Sequence, residues 1–295
     1  MGTTCSGEEA YLDLIHDIIV DGEDRSGRNG PTKSLFSRRL EFNVGRDGFP
    51  LLTTKRVFWR GVVEELLWFL RGSSDANELS DMGVHIWDGN STREFLDSVG
   101  LVNVPPGNIG AGYGHQWRNF GGTMDTNGTD QLRFVINELR TNPHGRRAII
   151  SAWNPLQLFE AALPPCHVMY IFYISTKGLS CQMTQRSADV AAGLPFNIAS
   201  TSLFTSILAH VLGLQVDRII IDVADAHLYE QHIENAKIQM NRVPNQFPTL
   251  TITKSPPPPT ADTDSFLTWI EELKAIDCVI QGYAPQPAIR YEMIP

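Results

Sequence analysis

Residues 163–200 read LPPCHVMYIFYISTKGLSCQMTQRSADVAAGLPFNIAS, and this stretch decides the fold. Residues 167–175 and 179–185 are rich in aromatic and β-branched side chains, and Thr176-Lys177-Gly178 between them is a hairpin-like turn. Leu194-Pro195-Phe196-Asn197 then opens a helix, whose apolar residues 197–214 have the length of a core element. The expectation is an α/β (α+β) fold with a large sheet at its centre and apolar helices around it.

Working outward, residues 218–223 read as a strand, 228–242 as an amphipathic helix and 250–253 as a short strand. Ser255 and the four prolines after it break the chain as a stiff surface turn. Upstream, Ser6-Gly7-Glu8-Glu9 has capping-box spacing ahead of a helix carrying Tyr11, Leu12, Ile15, Ile18 and Ile19. Residues 21–34 read as a polar, glycine-rich loop containing Arg25, and Leu40, Phe42 and Val44 alternate as in a strand. Residues 61–70 (GVVEELLWFL) form an apolar helix, which draws attention to Glu64 and Glu65. Residues 87–122 are the longest stretch without periodicity, and 130–140 form a helix before the apolar run 148–153. No repeat or composition shift divides the chain, so residues 1–295 are expected to make a single domain.

The composition of 42% apolar and 19% charged residues in 295 supports a sizeable core and excludes disorder. A net charge of −9 argues against a nucleic-acid partner, so an anionic ligand must meet local arginines. No run approaches the roughly 18 apolar residues that span a bilayer, and the N-terminus lacks an apolar signal core. A cytoplasmic protein with no membrane partner is expected. Met1-Gly2-Thr3-Thr4-Cys5-Ser6 fits the myristoylation pattern, but acids rather than lysines follow it. Cys5, Cys166, Cys181 and Cys278 are too scattered for a disulfide framework or a zinc site, and no metal is expected.

Cys166 lies at the start of an apolar strand, where a lone cysteine is ordinarily a small buried hydrophobe. Gln185-Arg186-Ser187 one hairpin away changes that balance, because a guanidinium beside a thiol favours the reactive thiolate. His167, next to Cys166 in a strand, is expected on the opposite face and is a poor general base for it. Arg25, Arg146, Arg147 and Arg186 are singly ordinary surface charges, but together they can clamp a phosphate, with Ser187 adding a hydroxyl. Asn197 is read either as a plain helix N-cap or as a two-ended amide aimed at a ligand. Glu65, if it faces a dry pocket, gains a raised pKa suited to proton shuttling. Asp225-Ala226-His227-Leu228-Tyr229 puts an acid, an imidazole and a phenol at a strand-to-helix junction.

Taken in order, Asp24-Arg25-Ser26-Gly27, FPLLTTKR (49–56), EELLWFLRG (64–72), IWD (86–88), YGHQWR (113–118), LPPCH (163–167), QRSADVAAGLPFNIAS (185–200) and DAHLY (225–229) closely resemble the thymidylate synthase family. The resemblance runs over residues 8–293, essentially the whole chain. It implies a twisted mixed sheet packed against a second one across a homodimer, and reductive methylation of dUMP to dTMP with methylenetetrahydrofolate as one-carbon and hydride donor. By resemblance, Cys166 adds to carbon 6 of the uracil, Asn197 pairs with its amide edge, and Asp189 with water holds the polarised ring. Glu65 and Tyr113 move protons. Arg25, Gln185, Arg186 and Ser187 bind the nucleotide, joined by Arg146 and Arg147 of the other subunit, while His227 and Tyr229 take the 3′-hydroxyl. Folate is implied against Ile86, Trp87, Asn90, Gly193, Leu194 and Phe196, with Asp189 and Lys55 nearby, and Met293, Ile294 and Pro295 act as a lid. The chain departs from the family at Ala192, where a leucine is usual, at Asn108 and Ala111, where aspartate and proline are usual, and at Ile171, Ala224 and Pro295.

Two other readings stand beside it. A deoxycytidylate hydroxymethylase-like enzyme is expected to carry an acid facing the base, where this chain has Asn197. A non-catalytic nucleotide- or RNA-binding homologue has no need of Cys166, Arg186 and Glu65 together.

Overall fold

The hairpin at the centre of the sequence sets the architecture of the computed structural model, which describes residues 7–27, 29–123 and 126–292. Numbered in chain order, the strands are β1 (Glu23–Gly27), β2 (Gly30–Phe42), β3 (Ile149–Ser151), β4 (His167–Ser175), β5 (Gly178–Asp189), β6 (Val216–Tyr229), β7 (Thr249–Ile252) and β8 (Cys278–Gln281). The first six form one mixed sheet in the order β1-β2-β6-β5-β4-β3, and the last two a small antiparallel pair. Neighbouring strands of the large sheet are antiparallel except β5 and β6, which run parallel. Gly178 makes the β4–β5 turn possible: its φ is 140°, and a Cβ there would lie 2.2 Å from the Gln215 carbonyl oxygen.

Apolar helices cover one face of the sheet. The helix Leu194–Val211 packs on β5 and β6 and against the helix Trp59–Leu70. It is long and apolar enough to cross a membrane by composition, yet it is buried along most of its length within this fold, as a core helix is. Trp117 stacks on Phe204 of that helix at 5.0 Å, and Tyr170 meets Phe204 edge-on at 5.7 Å. The opposite face carries Arg39, whose guanidinium grips Asp222 at 2.6 Å, Gln182, which donates to the same carboxylate, and the exposed Tyr173.

Several boundaries depart from the pattern-based expectation. Most of residues 21–34 are strand rather than loop: β1 and the start of β2 pair antiparallel, Gly27 opposite Gly30. β1 is solvent-exposed along its length and the start of β2 is mostly half-buried, so no apolar alternation marks them. Val44 begins a short helix, Val44–Asp47, rather than ending a strand. Residues 87–122 contain a 3-10 turn, Asp88–Asn90, and the helices Arg93–Ser98 and Tyr113–Asn119, all too short to show a period. The strand read at 218–223 extends to Tyr229 because it is paired on both edges, which shortens the following helix to Ile233–Met240. Asn197 sits within its helix rather than at the N-cap, which falls at Gly193. The first helix has Gly7 as N-cap with no side-chain bond. Glu8 instead turns inward and accepts from the backbone and hydroxyl of Thr53 and from the backbone of Thr54. Residues 1–6, including the myristoylation pattern and Cys5, lie outside the described residues, as do Met293, Ile294 and Pro295.

Candidate active site

In sheets with parallel strands, ligands lie beyond the carboxyl ends. At the carboxyl end of β5, beside that of β6, the chain encloses a cavity of about 290 Å³. Cys166 arrives from the loop ahead of β4, Gln185, Ser187 and Asp189 from β5, and Gly193, Phe196 and Asn197 from the start of the Leu194–Val211 helix. Glu65, Ile86, Trp87, Asn90 and Tyr113 close the other side. A second cavity of about 320 Å³, bordered by Val44, His210, Val216 and Leu250, contains none of the candidate residues.

Cys166 is half-buried. Burial pushes its thiol up, and the positive charge of Arg186 draws it back down. That guanidinium is fixed in place, donating to the carbonyls of Pro165 at 3.0 Å and Pro164 at 2.9 Å, while the Arg186 backbone donates to the Cys166 carbonyl at 2.9 Å. The Tyr113 hydroxyl accepts from the Cys166 backbone N–H at 2.7 Å. Burial holds that phenol far above its usual pKa, so it stays protonated. Glu65 is buried and accepts from the indole N–H of Trp87 at 2.8 Å. Burial raises its carboxyl to about 7, against the opposing pull of the indole. Glu64 is also buried, so neither glutamate of this helix faces solvent.

One wall of the cavity is a chain of polar contacts. Gln185 donates to the Asn197 side-chain oxygen at 2.9 Å and to the Ser187 carbonyl at 3.0 Å. Asp189 accepts from the backbones of Ala191 and Ala192 at 2.9 and 3.0 Å, which fixes the turn bearing Ala192 and Gly193. The Gln185 oxygen and the Asn90 amide nitrogen are buried without a protein partner, and both residues line the cavity. Buried polar atoms normally find partners, so the wall has ligand-directed capacity to spare.

His167 departs from expectation. It borders the same cavity as Cys166, because β4 begins only at His167 and the alternation of faces does not reach back to the cysteine. Burial lowers its pKa to about 4, and its Nδ1 lies 3.1 Å from the Tyr170 hydroxyl, so it remains unsuited to accept the thiol proton. Phe69, Leu163 and Ala188 also line the cavity and were not singled out in the sequence. Phe69 was findable, since it lies one helical turn beyond Glu65 on the same face.

Other candidates stand apart from the cavity lining. Lys55 is buried, its ammonium donating to the Ala191 carbonyl at 2.5 Å and lying 4.5 Å from the Tyr291 ring centre. Burial lowers its pKa to about 8. Leu194 is packed in the core behind the wall. Arg25 pairs with Asp225 at 3.2 Å, and the rings of His227 and Tyr229 meet edge-on at 5.3 Å. Arg146 and Arg147 are exposed in the loop before β3 and do not reach the cavity of their own chain. Ala192 lines the cavity with its short side chain. Asn108 takes over a turn-closing task, its side-chain oxygen accepting from the Gly110 backbone at 2.7 Å.

Residues 9–295 match the family described as thymidylate synthase. The chain is 47% identical over 294 residues to the thymidylate synthase of Human herpesvirus 8 type P (isolate GK18), covering 97% of this chain and 84% of that one. It is 46% identical to the thymidylate synthase of Equine herpesvirus 2 (strain 86/87), with 99% of each chain covered. It is 46% identical to that of Homo sapiens, over 97% of this chain and 90% of the relative. With a half-buried thiol at the wall of this cavity and an anchored arginine close to it, this chain belongs to the thymidylate synthase family.

Proposed function

We propose that Cys166 is the nucleophile with which this chain performs its family's reaction, the reductive methylation of dUMP to dTMP with methylenetetrahydrofolate as co-substrate. The observation that carries the assignment is the placement of Cys166 at the cavity wall, with the Arg186 guanidinium fixed by the Pro164 and Pro165 carbonyls near enough for its charge to act on the thiol. Addition of the sulfur to carbon 6 of the uracil makes an enolate and turns carbon 5 into a nucleophile. When bound, methylenetetrahydrofolate supplies the one-carbon unit and the hydride.

The chain's own residues divide the remaining work. Asn197, its amide oriented by Gln185, offers a donor and an acceptor to the amide edge of the base. Asp189 holds the polarised ring through water. Glu65, with a pKa of about 7, populates both protonation states near neutrality and moves protons to and from the bound groups. Tyr113 keeps its proton, and with its oxygen already accepting from Cys166 its O–H is left to donate toward water near carbon 5. Ile86, Trp87, Asn90, Gly193 and Phe196 supply the apolar wall and the unpartnered amide that fit a folate ring system. Leu194 backs that wall. We assign Lys55 to bracing the 191–193 turn rather than to contact with folate. Met293 and Ile294 are assigned to closing the site.

Arg25, Arg186 and Ser187 bind the 5′-phosphate, and His227 and Tyr229 the 3′-hydroxyl. Arg146 and Arg147 serve the site of a second copy in a homodimer. Their exposure and distance from their own cavity support this, as does the uncovered sheet face bearing Tyr173. The single-domain chain is assigned to the cytoplasm.

A spectrophotometric assay with dUMP and dCMP in parallel tests the substrate. Turnover of dUMP is expected, and turnover of dCMP alone overturns the assignment in favour of a hydroxymethylase. Asn197, an amide rather than an acid, disfavours that second reading.

A further inference from the structure

We infer that Asp225 is a positioning residue for recognition of the deoxyribose 3′-hydroxyl, fixing the His227 ring through one carboxylate oxygen while the other holds Arg25 in reserve for the phosphate. The inference deepens the proposed nucleotide site and rests on it. Asp225 is set by double pairing of β6, opposite Phe36 of β2 and Ser187 of β5, with His227 opposite Ser34 and Asp189. Its Oδ1 accepts from the buried Ser34 hydroxyl at 2.8 Å and lies 3.1 Å from His227 Nδ1. Its Oδ2 accepts from Arg25 at 3.2 Å.

A carboxylate oxygen only accepts, so Nδ1 of a neutral His227 must carry the proton, leaving Nε2 as the acceptor. That is the tautomer that takes a hydrogen bond from a sugar hydroxyl. The Ser34 hydroxyl donates to the same oxygen, so the imidazole N–H and the hydroxyl converge on Oδ1 and fix its position. Arg25 is attached to the opposite oxygen. When phosphate draws Arg25 away, the contacts of Oδ1 to Ser34 and His227 remain, and sugar recognition survives phosphate capture. The two oxygens therefore serve two ends of one nucleotide without competing.

The test is calorimetric binding of dUMP and of 2′,3′-dideoxyuridine 5′-monophosphate to wild type, Asp225→Ala, Asp225→Asn and Ser34→Ala, each checked for a wild-type thermal transition. Wild type is expected to prefer dUMP. The preference should fall about tenfold in Asp225→Ala, which removes the group that orients His227, and about threefold in Ser34→Ala, which removes one support of that group. A purely structural role for Asp225 would weaken both nucleotides equally, and an unchanged preference overturns the inference. If Asp225→Ala does not fold, Asp225→Asn and Ser34→Ala carry the same comparison. Binding does not require turnover, so an inactive wild type would refute the reaction assignment while this ratio still judges the role of Asp225.

Discussion

The indole of Trp87 donates to the carboxylate of Glu65 across 2.8 Å inside the cavity wall, and this bond opposes the burial that raises the glutamate to about 7. Removing the donor leaves burial unopposed. Trp87→Phe should therefore move the Glu65 inflection of the pH–rate profile to higher pH and lower kcat by about tenfold at pH 7. The inflection should vanish in Glu65→Gln. A profile unmoved by either substitution contradicts the shuttle role.

The same residue makes the fold pH-sensitive. The folded pKa of Glu65, about 7, lies above its ordinary 4.5, so the folded state binds the proton more tightly than the unfolded chain does. Glu65 then costs no stability below pH 4.5, and an increasing amount as pH rises toward 7. Urea unfolding of Glu65→Gln against wild type should show the variant gaining relative stability between pH 5 and pH 8, on the order of 3 kcal/mol. A difference independent of pH would show that Glu65 is not desolvated in the fold.

Burial raises the Cys166 thiol while Arg186 lowers it, so removing the charge has a defined sign. Iodoacetamide alkylation followed against pH should show the Cys166 inflection moving to higher pH in Arg186→Ala, and staying near the wild-type position in Arg186→Lys. Slower alkylation without a moved inflection would assign Arg186 to access rather than to thiolate stabilisation.

Arg146 and Arg147 stand exposed and outside their own cavity. Arg147→Glu and Cys166→Ala should each be inactive alone. After mixing and re-equilibration, half of the dimers are hybrids with one complete site each, so about a quarter of wild-type activity should return. No recovery, with hybrid formation verified, would place both functions in one chain.

Much of this site could be read in the sequence, because the central hairpin and its following helix are long and strongly patterned. Cys166, Gln185, Asp189 and Asn197 fall within that one stretch and meet at one cavity. The β1–β2 hairpin was illegible for a physical reason: β1 is solvent-exposed along its length, so no apolar alternation marks it. Short helices such as Arg93–Ser98 leave no period, and Thr92, whose hydroxyl accepts from Phe95 N–H at 3.1 Å, was the local signal available. The contact of the Lys55 ammonium with the Ala191 carbonyl likewise joins residues far apart in the chain, which no local motif encodes. The role of Ser34 beneath Asp225 depends on pairing between β2 and β6, a contact no local pattern encodes.

The central assignment is that the sulfur of Cys166 bonds to carbon 6 of the nucleotide. Incubation with 5-fluoro-dUMP and methylenetetrahydrofolate, followed by denaturation, intact-mass measurement and peptide mapping, reads that bond directly, because fluorine at carbon 5 blocks the proton loss that releases product. A mass increase retained after denaturation, mapped to Cys166 and absent in Cys166→Ala, is the predicted result. A protein that retains no adduct, or retains it at Cys181 or Cys278, contradicts it.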